Sequence, residues 1–203
     1  MITKEQWSER VLKTVSSFSR TIHGISDTSS ATEKPKLTVK EGKQLIDRTS
    51  RNLLQAIEYL WVNRSISFIT SLEVQDFIDS LAMIISDGLL QQGQSLYRTW
   101  DTQYGQTHPS EISEQYHEFC KWFLSTMDSH DPAATAAIVE KRLNGEIHPF
   151  SDGCGRTSML LAAFVLLRHD INPAVYHSRK EYFELIGKSN DEEWIRYYRS
   201  LLP

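Results

Sequence analysis

The sequence predicts an all-α domain with one small β-hairpin. Three observations lead there. Apolar residues recur at steps of three and four along most of the chain, one late segment is apolar nearly all round, and a single glycine-bracketed stretch has strand-forming composition.

Taken in order, "MITKEQWSERVLKTV" at the start is amphipathic and reads as a helix. Residues 26–38, "SDTSSATEKPKLT", are polar, carry a proline, and read as a linker. Leu45, Ile46, Thr49, Leu53, Ile57, Leu60 and Trp61 then form one helical stripe. Val74, Phe77, Ile78, Leu81, Ile84 and Ile85 form a second; Ile112, Tyr116, Phe119, Phe123 and Met127 form a third. Ser71 and Ser110 stand where N-caps belong. The hairpin candidate is "GQSLYRTWDTQYGQ", residues 93–106. Asp131-Pro132 opens "PAATAAIVEKRL", with Asn144-Gly145 as the expected stop. "TSMLLAAFVLLRH", residues 157–169, is apolar nearly all round and belongs at the centre of the fold. "SRKEYFELIG" and "DEEWIRYYRSLL" complete the set. In the latter, Trp194 and Tyr198 make a stripe suited to the core or to a homodimer contact.

A net charge of −4 and the lack of basic runs argue against nucleic acid as a partner. The apolar run 159–167 is too short to span a bilayer, and the N-terminus lacks the apolar stretch of a signal peptide, so a soluble chain is expected. The two cysteines, Cys120 and Cys154, make no disulfide framework and suit a reducing compartment.

Directly ahead of the apolar helix stands "IHPFSDGCGRTSM", residues 147–159. A Gly-x-Gly turn entering a helix presents N–H groups at the positive end of that helix, which is an anion site. Arg156 adds a forked positive charge there. Asp152 is a hard oxygen ligand suited to Mg²⁺ bridging phosphates. His148 titrates near neutrality and suits a general base. Taken singly, each has an ordinary reading as a turn residue, a cap or a surface charge. Their conjunction within nine positions points to a site that holds a diphosphate and deprotonates a hydroxyl.

"HPFSDGCGR" resembles the Fic-family signature, His-x-Phe-x-(Asp/Glu)-Gly-Asn-Gly-Arg-x-x-Arg, through His148, Phe150, Asp152, Gly153, Gly155 and Arg156. The likeness extends from about residue 40 to 186. "GQSLYRT" resembles the segment entering the family's β-hairpin flap, "PSEISEQYHEFCKWF" the helix after it, and "INPAVYHSRKEYFELI" the segment after the motif helix. The resemblance implies a Fic-type helical bundle with one small β-hairpin flap: a Fic-like catalytic domain over 31–203 behind an N-terminal helical segment, 1–30.

It further implies a transferase that moves AMP, or a related nucleotide moiety, from a Mg²⁺-bound nucleotide such as ATP to a Ser, Thr or Tyr hydroxyl of a target protein. His148 would take the hydroxyl proton and Asp152 would hold Mg²⁺. Gly153, Cys154, Gly155 and Arg156 would bind the phosphates, with Phe150 anchoring the loop. Tyr97, Arg98 and Thr99 would dock the target as an added strand. The setting would be the chain's own cytoplasm, or that of another cell into which it is delivered.

Two positions depart from the signature. Cys154 replaces its asparagine, and loss of one anion-hole donor costs about 2–4 kcal/mol of transition-state stabilisation. Cys154 reads as a small buried filler or as a thiol activated at a helix N-terminus beside Arg156. Met159 replaces the second arginine, which leaves open a donor other than ATP, such as a CDP-alcohol, or a catalytically impaired domain acting as a binding module. "SRTIHGIS", residues 19–26, loosely resembles the family's inhibitory helix, with His23 in the glutamate position; the competing reading is an ordinary amphipathic helix.

Overall fold

The computed structural model describes residues 1–19 and 39–203. Among these, eight α-helices form: α1 (Lys4–Ser19), α2 (Val39–Val62), α3 (Ser71–Ser86), α4 (Ile112–Thr126), α5 (Pro132–Glu140), α6 (Cys154–Arg168), α7 (Arg179–Ile186) and α8 (Asp191–Ser200). The expected inhibitory-helix likeness at 19–26 and the linker at 26–38 lie almost wholly outside the described residues.

Helix starts follow local chemistry, with two changes from expectation. α3 is capped by Thr70, not Ser71: Thr70 Oγ1 accepts from Glu73 N, and the Glu73 carboxylate accepts from Thr70 N in return. Ser110 sits inside a 3₁₀ turn, Pro109–Glu111, whose cap is the His108 ring. Asp131 caps α5 as its sequence suggests, with Pro132 in the first turn.

α6 is the axis of the fold, with thirteen of its fifteen residues buried. It packs against α5, α1, α3 and α2, while α8 covers α5 and α4 covers α3. Leu160, Leu161, Phe164, Val165 and Leu166 are each fully removed from solvent. Each stabilises the fold by roughly 1.5–3 kcal/mol through transfer alone. α1 closes one side with Trp7, Val11 and Val15, and Thr14 Oγ1 donates to Ala174 O at 2.5 Å. Trp194 and Tyr198 lie within this core, at 0% and 1% exposure, and Trp194 Nε1 donates to Ala137 O. That stripe is therefore spent inside the chain and offers nothing to a dimer contact.

The hairpin expected over 93–106 does not form, and no strand occurs among the described residues. The segment pairs with the signature loop instead of with itself. Tyr97 makes an isolated antiparallel bridge to Phe150. Arg98 N donates to Pro149 O, Ser151 N to Leu96 O, and Gln106 N and Thr107 N to Glu146 O. These bonds commit the ends of the segment to the signature loop and the turn before it.

One buried carboxyl has a thermodynamic signature. Glu140 is 1% exposed, and burial raises its pKa from 4.5 to about 7, opposed by hydrogen bonds from Tyr176 and Tyr182. The folded chain therefore binds more protons than the unfolded one between those values. The carboxyl's contribution is complete below pH 4.5 and is lost as pH rises through about 7. Glu140→Gln is expected to stabilise the protein at pH 8.5 by on the order of 2–3 kcal/mol and to change little at pH 5, read from denaturation midpoints at the two pH values.

Candidate active site

Helix α5 does not stop at Asn144-Gly145. It widens into a π-helical turn, Lys141–Ile147, that carries both residues inside it. Such turns are rare and concentrate at functional sites. Gly145 is required where α7 meets this turn: a Cβ there would lie 2.8 Å from Ile186 O.

The turn ends on His148, whose left-handed backbone (φ 46°, ψ 60°) is strained for a non-glycine residue by about 1–2 kcal/mol. Several contacts hold it there. His148 N donates to Leu143 O, and the His148 carbonyl accepts from Arg98 Nε at 2.6 Å. Tyr104 stacks on the ring with centroids 5.8 Å apart. The ring's Nδ1 lies 3.0 Å from Asn144 O. A carbonyl only accepts, so Nδ1 carries the proton and Nε2 presents its lone pair. Burial pulls the His148 pKa down to about 4, helped by the Arg98 charge and opposed by the Asn144 bond. The imidazole is neutral at physiological pH.

Five residues later the chain turns into α6. Gly153 is left-handed at φ 72°, and a Cβ on it would lie 2.5 Å from Ile85 Cγ2. Gly153→Ala is expected to cost roughly 2–4 kcal/mol, through backbone strain and this clash together, measurable by urea denaturation. The first helical bond to a loop carbonyl is Thr157 N to Gly153 O at 2.8 Å. The amides of Cys154, Gly155 and Arg156 come before it and have no acceptor one turn back. They form the positive end of a buried helix. Arg156 Nη2 pairs with Asp152 Oδ2 at 2.5 Å, while its buried Nη1 has no hydrogen-bond partner. Chemically the arrangement can hold an anion, with one guanidinium donor unused.

Cys154 is the buried filler rather than the activated thiol. Its Sγ donates to Leu143 O at 3.2 Å, and burial pushes its pKa up to about 12, against the pull of the Phe150 backbone and Arg98. The helix N-terminus does not outweigh desolvation here. Met159 is 4% exposed and faces a cavity of about 10 Å³ shared with Val11, Thr14, Glu140 and Tyr176, away from the loop. Phe150 is buried against Tyr97 and Tyr116, as an anchor should be.

Of the three residues expected to dock a target, only Thr99 faces solvent. Tyr97 is half-buried, with its hydroxyl on Asp79. Arg98 is 2% exposed, and its guanidinium donates to the carbonyls of His148, Trp100, Thr107 and Ile147. It braces the signature loop from within, and its charge faces no docking segment.

Residues 70–166 match the sequence profile of the Fic/DOC family. Over this segment the chain is similar to the Fic/DOC family. Two curated relatives of the domain are "Protein adenylyltransferase Fic" of Nematostella vectensis and "Protein adenylyltransferase fic-1" of Caenorhabditis briggsae. The first is 33% identical over 85 residues, 40% of this chain. The second is 34% identical over 86 residues, likewise 40% of this chain. The matched stretch spans only 20% and 17% of those proteins.

Solved structures share the Fic fold along nearly the whole chain. IbpAFic2 covalently tethered to Cdc42 superposes with a TM-score of 0.69 at 14% identity, over 99% of this chain and 63% of that one. Fic-1 (aa134 - 508) from C. elegans gives 0.66 at 20% identity, over 98% and 60%.

The candidate site also includes residues without a role in the sequence pattern. Asn144, expected as a helix stop, supplies the carbonyl that sets the His148 tautomer. It sits four residues before the histidine, and that one-turn spacing was the available signal. Ile85 and Tyr104 reach the site from distant segments, with no local signal to announce them.

Proposed function

We propose that this chain is a Fic-type transferase that moves a nucleotide moiety from a Mg²⁺-bound nucleotide to a hydroxyl side chain of a target protein. The observation that carries the reading is the Asn144 O···Nδ1 contact, which leaves His148 Nε2 unprotonated on the loop leading to the α6 N-terminus. In the reaction, Nε2 takes the proton of a Ser, Thr or Tyr hydroxyl as its oxygen bonds to the α-phosphorus. The bond from the α-phosphorus to the bridging oxygen breaks, and with ATP as donor pyrophosphate leaves. The amides of Gly153, Cys154, Gly155 and Arg156 and the Arg156 guanidinium neutralise the phosphate charge, its free Nη1 being the donor in reserve.

Among the described residues no group of three or more His, Cys, Asp or Glu side chains could hold a metal by itself. The donor set fits a metal that arrives with its nucleotide: Asp152 would be the protein ligand and phosphate oxygens the rest. When bound, Mg²⁺ supplies charge neutralisation at the phosphates. The relatives named protein adenylyltransferase support AMP as the transferred group, and the Fic–Cdc42 complex among the neighbours supports a protein acceptor. Thr99 and the exposed Trp100 remain the residues of the 93–106 segment suited to meet that acceptor. The buried free thiols fit a cytoplasmic setting, the chain's own or that of a cell into which it is delivered.

Met159 favours a second reading of the donor. Its side chain faces the interior, so no second arginine grips a γ-phosphate there. The test is incubation of the chain and Mg²⁺ with a cell extract and, separately, ATP labelled at the α-phosphate, other labelled nucleotides, and CDP-choline. Label in protein from ATP supports adenylyl transfer, and label from CDP-choline alone supports the alternative donor. No label from any donor, with thermal stabilisation by nucleotide retained, leaves a binding module.

A further inference from the structure

A chain of buried polar contacts runs behind His148, away from the phosphate loop. Asn144, 5% exposed, accepts from the histidine through its carbonyl and donates Nδ2 to the Tyr182 hydroxyl at 2.9 Å. The Tyr182 hydroxyl also lies near the Glu140 carboxyl, which receives the Tyr176 hydroxyl at 2.8 Å. Tyr182 is 0% exposed, and its ring packs edge-on against Tyr176, Phe183 and Trp194. The Asn144 side chain also borders Gly155, in the first turn of α6.

We infer that Tyr182 is a positioning residue for the general base, acting through the Asn144 side chain to hold the π-helical turn in the register that aims the Asn144 carbonyl at His148 Nδ1. The inference rests on the proposed role of His148. The physical argument is the geometry of the turn. A π-helical turn is a rare single-turn insertion in an α-helix, and here contacts from outside the turn help to hold it. Its buried polar members are Lys141, which pairs with Asp191, and Asn144, whose amide must find a partner or be left at a penalty. Tyr182 is that partner, its hydroxyl oxygen accepting from the amide at 2.9 Å. Removing the hydroxyl frees the amide to seek another acceptor and rotates the carbonyl away from Nδ1. The imidazole then takes up the Nε2–H tautomer, in which Nε2 accepts no proton.

The test is ¹⁵N NMR of the full chain labelled at histidine, at pH 7, with His148→Ala assigning the signal. The wild-type ring is expected to be Nδ1–H. Tyr182→Phe keeps the packed ring and loses one oxygen; Asn144→Ala keeps the carbonyl and loses the amide. Both are expected to raise the Nε2–H population, and in Tyr182→Phe the transfer kcat is expected to fall about tenfold at unchanged nucleotide KM. If Tyr182→Phe does not fold, Asn144→Ala decides. Unchanged ring signals in the folded variants, even with a lowered melting temperature, would make the contacts merely structural and overturn the inference. A wild-type ring in the Nε2–H form would overturn it equally. A wild-type ring in the Nδ1–H form that responds to both variants, in a chain that labels no protein, would leave this network standing and remove the transferase reading instead.

Discussion

His148→Ala is expected to lower protein labelling by about 10²–10⁴-fold while nucleotide-dependent thermal stabilisation survives. Among the described residues near the loop, the imidazole has its Nε2 lone pair held unprotonated by the hydrogen bond at Nδ1. On the proposed reading the phosphates would be met by α6 amides and Arg156, which the substitution does not touch. The wild-type pH profile is the companion measurement. Burial lowers the His148 pKa to about 4, so the base stays active above that value, and transfer should fall only as pH drops toward it. A limb near pH 6.5 would mean either a hydrated His148 ring or a different base. The linkage has a definite sign. The folded pKa lies below the unfolded value of 6.5, so the unfolded chain binds more protons between them. His148's share of stability is complete above pH 6.5 and is lost as pH falls toward 4.

Arg98→Met is expected to destabilise the protein by about 3–5 kcal/mol and to abolish transfer, although Arg98 touches no substrate. Four carbonyls share its guanidinium: Ile147 at 3.1 Å, His148 at 2.6 Å, Trp100 at 2.7 Å and Thr107 at 2.5 Å. Methionine fills similar volume and donates nothing, leaving buried acceptors unmatched. For a chain of this size the loss corresponds to a melting point lowered by roughly 6–20 °C. The His148 carbonyl is one of the four, so the left-handed turn that aims the imidazole loses its clamp. An Arg98→Met variant that melts normally and transfers normally would show that the loop holds itself.

Much of the site was legible because its parts are neighbours in sequence. The spacing from His148 to Arg156 already brings an imidazole, a carboxylate, helix-start amides and a guanidinium within one loop and one helical turn. The apolar run after them already demands the buried axis that α6 became. The helices were legible for the same local reason. The failures also share a cause. Aromatics and threonine between glycines made 93–106 look like a self-paired hairpin, but strand composition does not say which backbone will be the partner. That partner is the signature loop, about fifty residues on. The same pairing turned Arg98 from a presumed docking residue into an internal brace.

Cys154 shows the limit from the other side. Its position at a helix N-terminus beside an arginine argues for a reactive thiol, and only its burial against Leu143 reverses the sign. Local sequence determined which groups this protein brings to its loop and the helix that holds them. Tertiary structure decided their protonation, their orientation and which of them face water. Hydrogen-bond partners and desolvation come from segments far apart in the chain, and no spacing rule within one segment encodes them.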